Sequence, residues 1–370
     1  MKILCAAAVL TATGLAVGAV RAQETKRSWT ESLTWKGDVR YRFQSTDEEG
    51  KEEQPRLRNR FRARLSLDAQ VNEDVRAGVR VVTNAGEPIT DHVTMSGAFD
   101  DKPARIDRAF LDWKAAESLN FVAGKMAQPW VAVSDLVFSA DMNPEGVVVR
   151  TQRELREGAC LIASTGYWVI QERATAGESS FVSAQAALQL KPAEKTAAVF
   201  GASLFAFDGV EGQRLFFDEG RSFGNTTRKV GEGEDAHLVY NTGFTVVEAF
   251  ARVEFDAGLP LAIGGQYAVN TEADRDDTAF LGEIRLGKAS APRAWEIGYQ
   301  YRELEKDSVL GVFAENTDTG NGTDVRAHIA FVRYAVSKNF DIKLQYAIAE
   351  KGLNNGADLN TFKADFTVGF

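Results

Sequence analysis

The sequence has little cysteine, histidine, proline or methionine. Of 370 residues, two are cysteine, three are histidine, eight are proline and four are methionine. Cys5 lies in the apolar start of the chain, which leaves Cys160, and a single cysteine excludes an intramolecular disulfide and a cysteine-rich metal site. The histidines His92, His237 and His328 are scattered along the chain. The sequence therefore predicts no metal centre and no cofactor.

The composition excludes two broad classes of protein. Hydrophobic residues make up 44% and charged residues 26%, and the mean hydropathy is −0.23. These values exclude wholesale disorder and a polytopic helical membrane protein. They leave open a barrel that alternates lipid-facing and lumen-facing residues, because its average hydropathy resembles that of a soluble protein. The 32 glycines and 23 phenylalanines, against eight prolines, favour strands and tight turns.

The first 22 residues have the pattern of a secretory signal peptide. Lys2 supplies a charged start, residues 3–20 are apolar or small, and Ala22 ends a stretch suited to cleavage before Gln23. Removing residues 1–22 takes away Lys2, Arg21 and no acid, so the net charge falls from −9 to −11. We therefore expect an exported protein with a short periplasmic segment at 23–32 and one folded domain at 33–370.

Apolar and polar residues alternate with a period of two through the rest of the chain. In the run from Leu33, Trp35, Val39, Tyr41 and Phe43 share one face. The next run places five arginines on its polar face: Arg56, Arg58, Arg60, Arg62 and Arg64. Fourteen further runs follow, and an even total of sixteen strands returns both ends of the chain to one side. The pattern predicts an all-β transmembrane antiparallel up-and-down β-barrel of 16 strands, a size that leaves an aqueous lumen.

The connections between these runs alternate between short and long. Turns such as 71–74, 115–118 and 337–339 alternate with connections such as 85–104, 129–145 and 208–241. In outer-membrane barrels the short turns face the periplasm and the long loops face outward. The alternation therefore predicts both a location in the outer membrane and an orientation there.

The last strand adds a more specific pattern. Phe362, Ala364, Phe366, Val368 and Phe370 share one face, and the final residue is aromatic. This resembles the C-terminal strand signature of bacterial outer-membrane proteins. The resemblance implies that Phe366, Val368 and Phe370 form an assembly signal read by the barrel assembly machinery.

Several segments resemble one family. They are DRAFLDW at 107–113, FVAGKMAQPW at 121–130, DMNPEG at 141–146, YQYRELEKDSVLGVF at 299–313 and GTDVRAHIAFVRYAVSKNF at 322–340. The sequence is similar to trimeric-type bacterial porins, and more closely to the group named putative porins. The resemblance implies a passive diffusion channel for small hydrophilic solutes and ions, surrounded by outer-membrane lipid and assembled as a homotrimer.

The charges that face the lumen would determine what such a channel passes. Ten arginines fall on the polar faces of the first four strands: Arg40, Arg42, Arg56, Arg58, Arg60, Arg62, Arg64, Arg76, Arg80 and Arg108. The resemblance implies that the third outer loop, 129–145, folds inward as a constriction, with Asp135, Asp141 and Glu145 facing this basic wall. An acidic loop opposite a basic wall selects solutes by charge and size, and we expect a weak anion preference.

Two other functions stay open at this stage. One is an outer-membrane enzyme of the lipase type, although nothing in the sequence places a serine next to a histidine on neighbouring strands, and we expect no enzymatic activity. The other is a structural or adhesive barrel with a plugged lumen. Neither a nucleic-acid motif nor a phosphate-binding loop is present. Ten aromatics near strand ends predict an interfacial girdle: Trp35, Tyr41, Trp113, Trp130, Tyr167, Trp168, Trp295, Tyr299, Tyr334 and Tyr346.

Overall fold

The computed structural model describes residues 32–51, 54–173, 177–354 and 356–370. The predicted signal peptide at 1–22, and 23–31 of the predicted periplasmic segment, lie outside the described residues. Sixteen long strands form the barrel: β1 Leu33–Glu48, β2 Arg56–Gln70, β3 Val75–Thr83, β4 Ala104–Ala116, β5 Leu119–Lys125, β6 Glu145–Arg156, β7 Ala159–Gln171, β8 Ser179–Ala193, β9 Thr196–Asp208, β10 Thr245–Asp256, β11 Pro260–Asn270, β12 Thr278–Gly287, β13 Trp295–Leu304, β14 Val325–Ser337, β15 Phe340–Lys351 and β16 Ala357–Gly369.

Each strand pairs antiparallel with the next, and the last pairs with the first. Val39 of β1 lies opposite Val368 of β16, and Tyr41 lies opposite Phe366. Two backbone hydrogen bonds of 2.9 Å between Gly37 and Phe370 extend this pairing to the end of the chain. Since closure leaves no sheet edge unpaired, the predicted 16-stranded up-and-down barrel is confirmed. Within the described ranges, no helix is long and apolar enough to cross a membrane.

The predicted alternation separates an apolar outer face from a charged inner face. On β2, Leu57 and Leu65 are 64% and 44% exposed, whereas Arg60 and Arg62 are 7% and 3% exposed. Side chains on one strand alternate between faces, so the arginines point into the barrel and the leucines point out. An apolar band on the outside of a closed barrel is what a lipid bilayer requires.

Short turns and long loops lie at opposite ends of the barrel. The short turns are 71–74, 117–118, 157–158, 194–195, 257–259, 288–294 and 338–339. We number the connections at the opposite end L1 to L8 in chain order, of which L2, L3, L5 and L7 are the longest: 49–55, 84–103, 126–144, 172–178, 209–244, 271–277, 305–324 and 352–356. L2 adds the two-residue strand Val93–Thr94 to the edge of β2, and L5 contains a hairpin of Thr227–Val230 and His237–Tyr240. L2, L3, L5 and L7 all carry buried residues and fold towards the barrel axis.

A cluster of aromatic side chains fills part of the interior. Trp130 and Phe138 of L3 pack against Trp168 of β7 and Phe205 of β9, with ring centroids 4.9–5.8 Å apart. Trp168 is fully buried and Trp130 is 8% exposed, so the prediction that these two belong to an outer girdle was wrong. Tyr167 faces outward, and its neighbour Trp168 must therefore face inward. Trp35, Trp113 and Trp295 are exposed on the outer face, as a girdle requires.

A glycine on β1, Gly37, leaves room for the Phe370 ring beside the pairing of β1 with β16. A Cβ at Gly37 would lie 2.5 Å from the Phe370 ring and 2.8 Å from the backbone oxygen of Arg64. At Gly282 a Cβ would meet nothing within 4 Å. We expect Gly37→Ala to lower the free energy of unfolding in urea by about 1–3 kcal/mol through overpacking, with Gly282→Ala changing it by less than about 0.5 kcal/mol. Equal effects of the two substitutions would contradict the proposed packing.

Candidate functional site

All ten arginines predicted to line the lumen lie on the inner side of the barrel. They come from β1 (Arg40, Arg42), β2 (Arg56, Arg58, Arg60, Arg62, Arg64), β3 (Arg76, Arg80) and β4 (Arg108). Exposed apolar side chains on the same strands, such as Val39, Leu65 and Val79, point the other way. Four neighbouring strands, β1 to β4, therefore form one sector of the inner wall that carries all ten arginines, and we call it the basic sector.

Carboxylates of the wall itself neutralise the middle of this sector. Asp38 of β1 receives Arg62 Nη2 and Arg64 Nε, each at 2.6 Å. Asp365 of β16 receives Arg42 through two bonds of 2.6 and 2.8 Å. A bidentate arginine–carboxylate pair is among the stronger protein hydrogen-bond arrangements, and here it removes the repulsion that neighbouring arginines would otherwise suffer.

A β-bulge adds another carboxylate to the inner face. Arg80 of β3 pairs in register with Arg108, and the next pair is Val81 with Ile106, so Asp107 is the extra residue. Asp107 turns inward and forms a buried ion pair with Arg80. Simple alternation places Asp107 on the outer face, because it precedes the inward Arg108. The bulge explains the difference.

L3 crosses the lumen from its own strands to the opposite wall. Val131 exchanges hydrogen bonds of 2.6 and 2.9 Å with the Gln185 side chain of β8. Arg252 of β10 donates to the Val133 carbonyl oxygen at 2.7 Å, and Gln300 of β13 donates to Ser134 Oγ at 2.9 Å. L3 leaves the wall after β5 and contacts β13, which lies about half-way around the barrel. The loop is held in this position by contacts with at least three strands.

The three acids predicted on L3 occupy three different environments. Asp135 forms an ion pair with Arg302 of β13, which is 2% exposed, and so faces the wall opposite the predicted one. Asp141 lies 3.9 Å from Arg64 of the basic sector. Glu145 begins β6 and pairs with Lys125 at 2.6 Å, with 62% of its side chain exposed. It lies on the same outward face as Val147, because the two are two positions apart on one strand.

L7 also folds into the lumen, which the sequence did not predict. Lys363 Nζ of β16 lies 2.7 Å from Asp318 Oδ1, and Gln345 of β15 donates to Asp318 Oδ2 at 2.8 Å. Burial alone would raise the pKa of Asp318, but the adjacent Lys363 ammonium lowers it below its usual value. Ser139 of L3 donates from Oγ to Glu315 Oε2 at 3.1 Å, so L3 and L7 are joined. Burial raises the pKa of Glu315.

L2 places a buried carboxyl group against the basic sector. Asp91 is 2% exposed, and its Oδ2 lies 3.8 Å from Arg64 Nη1. Burial, together with the nearby carboxylates Asp141 and Asp107, raises the pKa of Asp91 to about 7. The backbone oxygen of the neighbouring His92 accepts a 2.8 Å hydrogen bond from Arg60. Burial and the facing arginines lower the pKa of the His92 ring.

Two polar cavities lie at opposite ends of the basic sector. The larger, at the long-loop end, has a volume of about 620 Å³ and is lined by Arg56, Arg58 and Arg60 of β2 with parts of L2 and L7. The smaller, towards the short turns, has a volume of about 190 Å³ and is lined in part by Arg76, Arg80 and Arg108. We call the first the long-loop cavity. Six of the ten predicted arginines line one or the other of these two spaces.

Comparison with solved structures supports the fold. OprB of Pseudomonas putida aligns with a TM-score of 0.58 at 9% identity, over 92% of this chain and 95% of that one. OmpF of Salmonella typhi, solved with daunomycin, aligns at 0.57 and 11% identity, over 93% and 99%. The trimer form of OmpT of Vibrio cholerae aligns at 0.50 and 13% identity, over 92% and 100%.

Comparison by sequence identifies the family. No curated protein matches the chain significantly. The family described as Putative porin matches residues 48–230 and 225–370, which is more than half of the chain. The matched residues include fifteen of the sixteen barrel strands, the inward loop L3 and most of the arginines of the basic sector. The chain belongs to the putative porin family.

Proposed function

We propose that the protein is an outer-membrane porin: a water-filled channel for passive diffusion of small hydrophilic solutes and ions, with a weak anion preference. The observation that carries the proposal is the closed 16-stranded barrel with apolar side chains outside and charged side chains inside. Such a surface is stable only with lipid outside and water inside. By the same rule the short turns lie in the periplasm and the long loops outside the cell.

L3 would narrow the channel at the level of the paired arginines. Arg40 and Arg64 keep about a quarter of their side-chain surface exposed, as does Asp141 across from Arg64. Charges that remain in contact with water act on a passing ion more strongly than pairs that are fully buried together. Among the described residues, no carboxylate lies within 4.0 Å of Arg56, Arg58, Arg60 or Arg108, and this excess of positive charge favours anions.

The reversal potential of the purified protein in a planar bilayer under a KCl gradient tests this proposal. We expect steps of conductance and a reversal potential of the sign that chloride permeation gives. Asp141→Asn should increase the chloride preference, since it removes a partly exposed carboxylate beside Arg64. Clear cation selectivity that persists in Asp141→Asn and Asp135→Asn proteins would reject the anion preference, and an absence of conductance would reject the channel.

The anion preference should rise as the pH falls from 8 to 6. Asp91, whose pKa is raised to about 7, is mostly ionised at pH 8 and mostly neutral at pH 6. It faces Arg64, Arg80, Asp107 and Asp141, so its protonation adds one positive charge to the net charge of that group. After screening this is worth ~0.5 kcal/mol, or about two-fold in the ratio of anion to cation permeability.

The control for this pH dependence is Asp91→Asn, which has the same shape and no charge. Reversal potentials at pH 8 and 6 should then coincide. His92 does not titrate between pH 6 and pH 8, because its lowered pKa keeps the ring neutral at both pH values. An undiminished pH dependence in Asp91→Asn would assign the titration to another group.

A homotrimer is the assembly that fits the fold best. A trimer form is known for OmpT of Vibrio cholerae, which shares this fold. The C-terminal residues Phe366, Val368 and Phe370 are 40%, 47% and 66% exposed on the outer face of β16, where assembly machinery and neighbouring subunits have access to them. Light scattering of the detergent-solubilised protein, corrected for bound detergent, should give three chains per particle.

A plugged barrel is the second candidate. The aromatic cluster of Trp130, Phe138, Trp168 and Phe205 fills the sector of the lumen beside β7–β9, and L7 fills the sector beside β15 and β16. If the remaining passage is closed as well, the same bilayer measurement will show no conductance although the barrel is folded.

A further inference from the structure

The arginines of β2 divide into two groups by the partners they have. Arg62 and Arg64 share Asp38, with contacts of 2.6 Å. Among the described residues, no carboxylate lies within 4.0 Å of Arg56, Arg58 or Arg60. Ion pairing therefore stops half-way along the strand, and the extracellular half of the arginine row keeps its positive charge.

The unpaired half faces the long-loop cavity, whose other walls are also cationic. Lys102 of L2 and Arg221 of L5 reach the same space. Lys51 and Lys351 stand at its edge, where both contact Glu48. Glu87 is the only other carboxylate among its described lining residues. Positive charge thus converges on the cavity from β2, three loops and β15.

The guanidinium groups keep hydrogen-bonding capacity. The Nε atoms of Arg58 and Arg60 are buried and have no acceptor among the described residues. Arg60 is 7% exposed, and its Nη2 is held by the His92 carbonyl oxygen at 2.8 Å, which fixes the orientation of the side chain. Arg58 makes no hydrogen bond to the described residues and is only half-buried on the cavity wall, so an oxyanion in the cavity can accept charge-assisted hydrogen bonds from its guanidinium group.

The spacing of Arg56, Arg58 and Arg60 along β2 favours anions that carry more than one negative group. Inward side chains on a strand repeat every second residue, about 6.6–6.8 Å apart. A single-charged ion can contact one or two of these guanidinium groups, whereas an anion with several phosphoryl or carboxylate groups can contact three. A volume of about 620 Å³ accommodates such an anion.

We propose that the long-loop cavity is an extracellular binding site for small multivalent oxyanions, with Arg56, Arg58 and Arg60 as its principal ligands. Arginine suits this role because its planar fork matches phosphate and carboxylate groups in bidentate geometry. Inward from the site, Asp38 neutralises Arg62 and Arg64, so the anion meets a weaker attraction and is released towards the constriction. This inference rests on the proposed function for its orientation and for the release step.

Binding can be measured without any conductance, which separates the two proposals. Isothermal titration calorimetry of the folded, detergent-solubilised protein would use tripolyphosphate and citrate as multivalent probes and acetate as the monovalent one. We expect the multivalent probes to bind at least about ten-fold more tightly than acetate, since each adds charge-assisted hydrogen bonds. Binding of one multivalent probe but not the other identifies the group that the site prefers and supports the proposal.

Two variants and a control assign the binding to these residues. Arg58→Gln/Arg60→Gln should weaken tripolyphosphate binding at least about ten-fold. Arg58→Gln alone, which breaks no contact of the described structure, should weaken it measurably even if loss of the Arg60 bond to L2 disturbs the double variant. Arg156→Gln/Arg293→Gln removes the same charge at the opposite, short-turn end and should leave binding within about two-fold.

Equal affinity in the wild type, the Arg58 variants and the control would overturn the proposal, as would multivalent probes that bind no more tightly than acetate. If binding follows the expected pattern but bilayers show no conductance, the site stands and the channel function fails. If the protein conducts and neither multivalent probe binds, the channel stands and the site fails.

Discussion

Replacing Lys363 by methionine is expected to detach L7 from the wall. Lys363 is 3% exposed, and its Nζ contacts Asp318 at 2.7 Å and Thr317 Oγ1 at 2.9 Å. Methionine fills nearly the same volume but leaves Asp318 as a buried carboxylate without its nearest cation. Removing one partner of a buried pair costs about 3–5 kcal/mol, which exceeds what a loop without regular structure can absorb. The loop should therefore leave its position while the barrel stays closed.

Limited proteolysis measures this release. In the Lys363→Met protein, cleavage within 305–324 should become faster than in the wild type, and the urea midpoint should fall. The matched control is Lys363→Met/Asp318→Asn, in which neither charge remains to be buried alone, and which should recover part of the lost stability. If the double variant is cleaved as fast as the single one, the ion pair is not what holds the loop.

Replacing Asp135 by asparagine should release the far end of L3. Arg302 is 2% exposed and pairs with Asp135, and its other described partner is the Gln300 side-chain oxygen, at 2.6 and 2.9 Å. Asparagine keeps the shape of the side chain but leaves the Arg302 guanidinium buried without a counter-charge, at a cost of about 3–5 kcal/mol. With only the Gln300–Ser134 contact to β13 left among the described residues, the loop is held less firmly and occupies less of the passage on average. Single-channel conductance should therefore increase, with more frequent fluctuations.

Asp141→Asn is the matched control on the same loop. Asp141 lies 3.9 Å from Arg64 and keeps 27% of its side-chain surface exposed, so its loss should cost less than about 1 kcal/mol. We expect altered selectivity and nearly unchanged conductance. Two variants that raise the conductance equally would show that Asp135 does not anchor L3.

The barrel and its charged interior could be predicted from the sequence because strands have a period of exactly two. Once Leu57 and Leu65 are assigned to lipid, the side on which Arg60 and Arg62 lie is fixed, with no knowledge of the tertiary structure. The same alternation places Asp38 and Asp365 on inward faces, although the sequence analysis did not select them as part of the site. Their role as the main counter-charges depends on cross-strand neighbours: Asp38 lies opposite Arg64, and Asp365 lies opposite Arg42.

The remaining features of the site depend on register and on contacts between distant segments. The extra residue at Asp107 inverts the alternation locally, and no glycine or proline marks it in the sequence. Asp135 and Arg302 are 167 positions apart, so their pairing requires the path of L3 across the lumen. L7 reads as an ordinary long loop, because its burial arises from Lys363 and Gln345 on strands that follow it in the chain.

The central claim, a passage for water and small solutes through a closed barrel, is tested most directly by liposome swelling. Liposomes that contain the purified, folded protein would be diluted into isotonic solutions of uncharged sugars of increasing size. We predict rapid swelling with the smallest sugars and a steep decline with size, as L3 limits the passage. Swelling no faster than that of protein-free liposomes with every sugar, by a protein shown to be folded and inserted, would contradict the account.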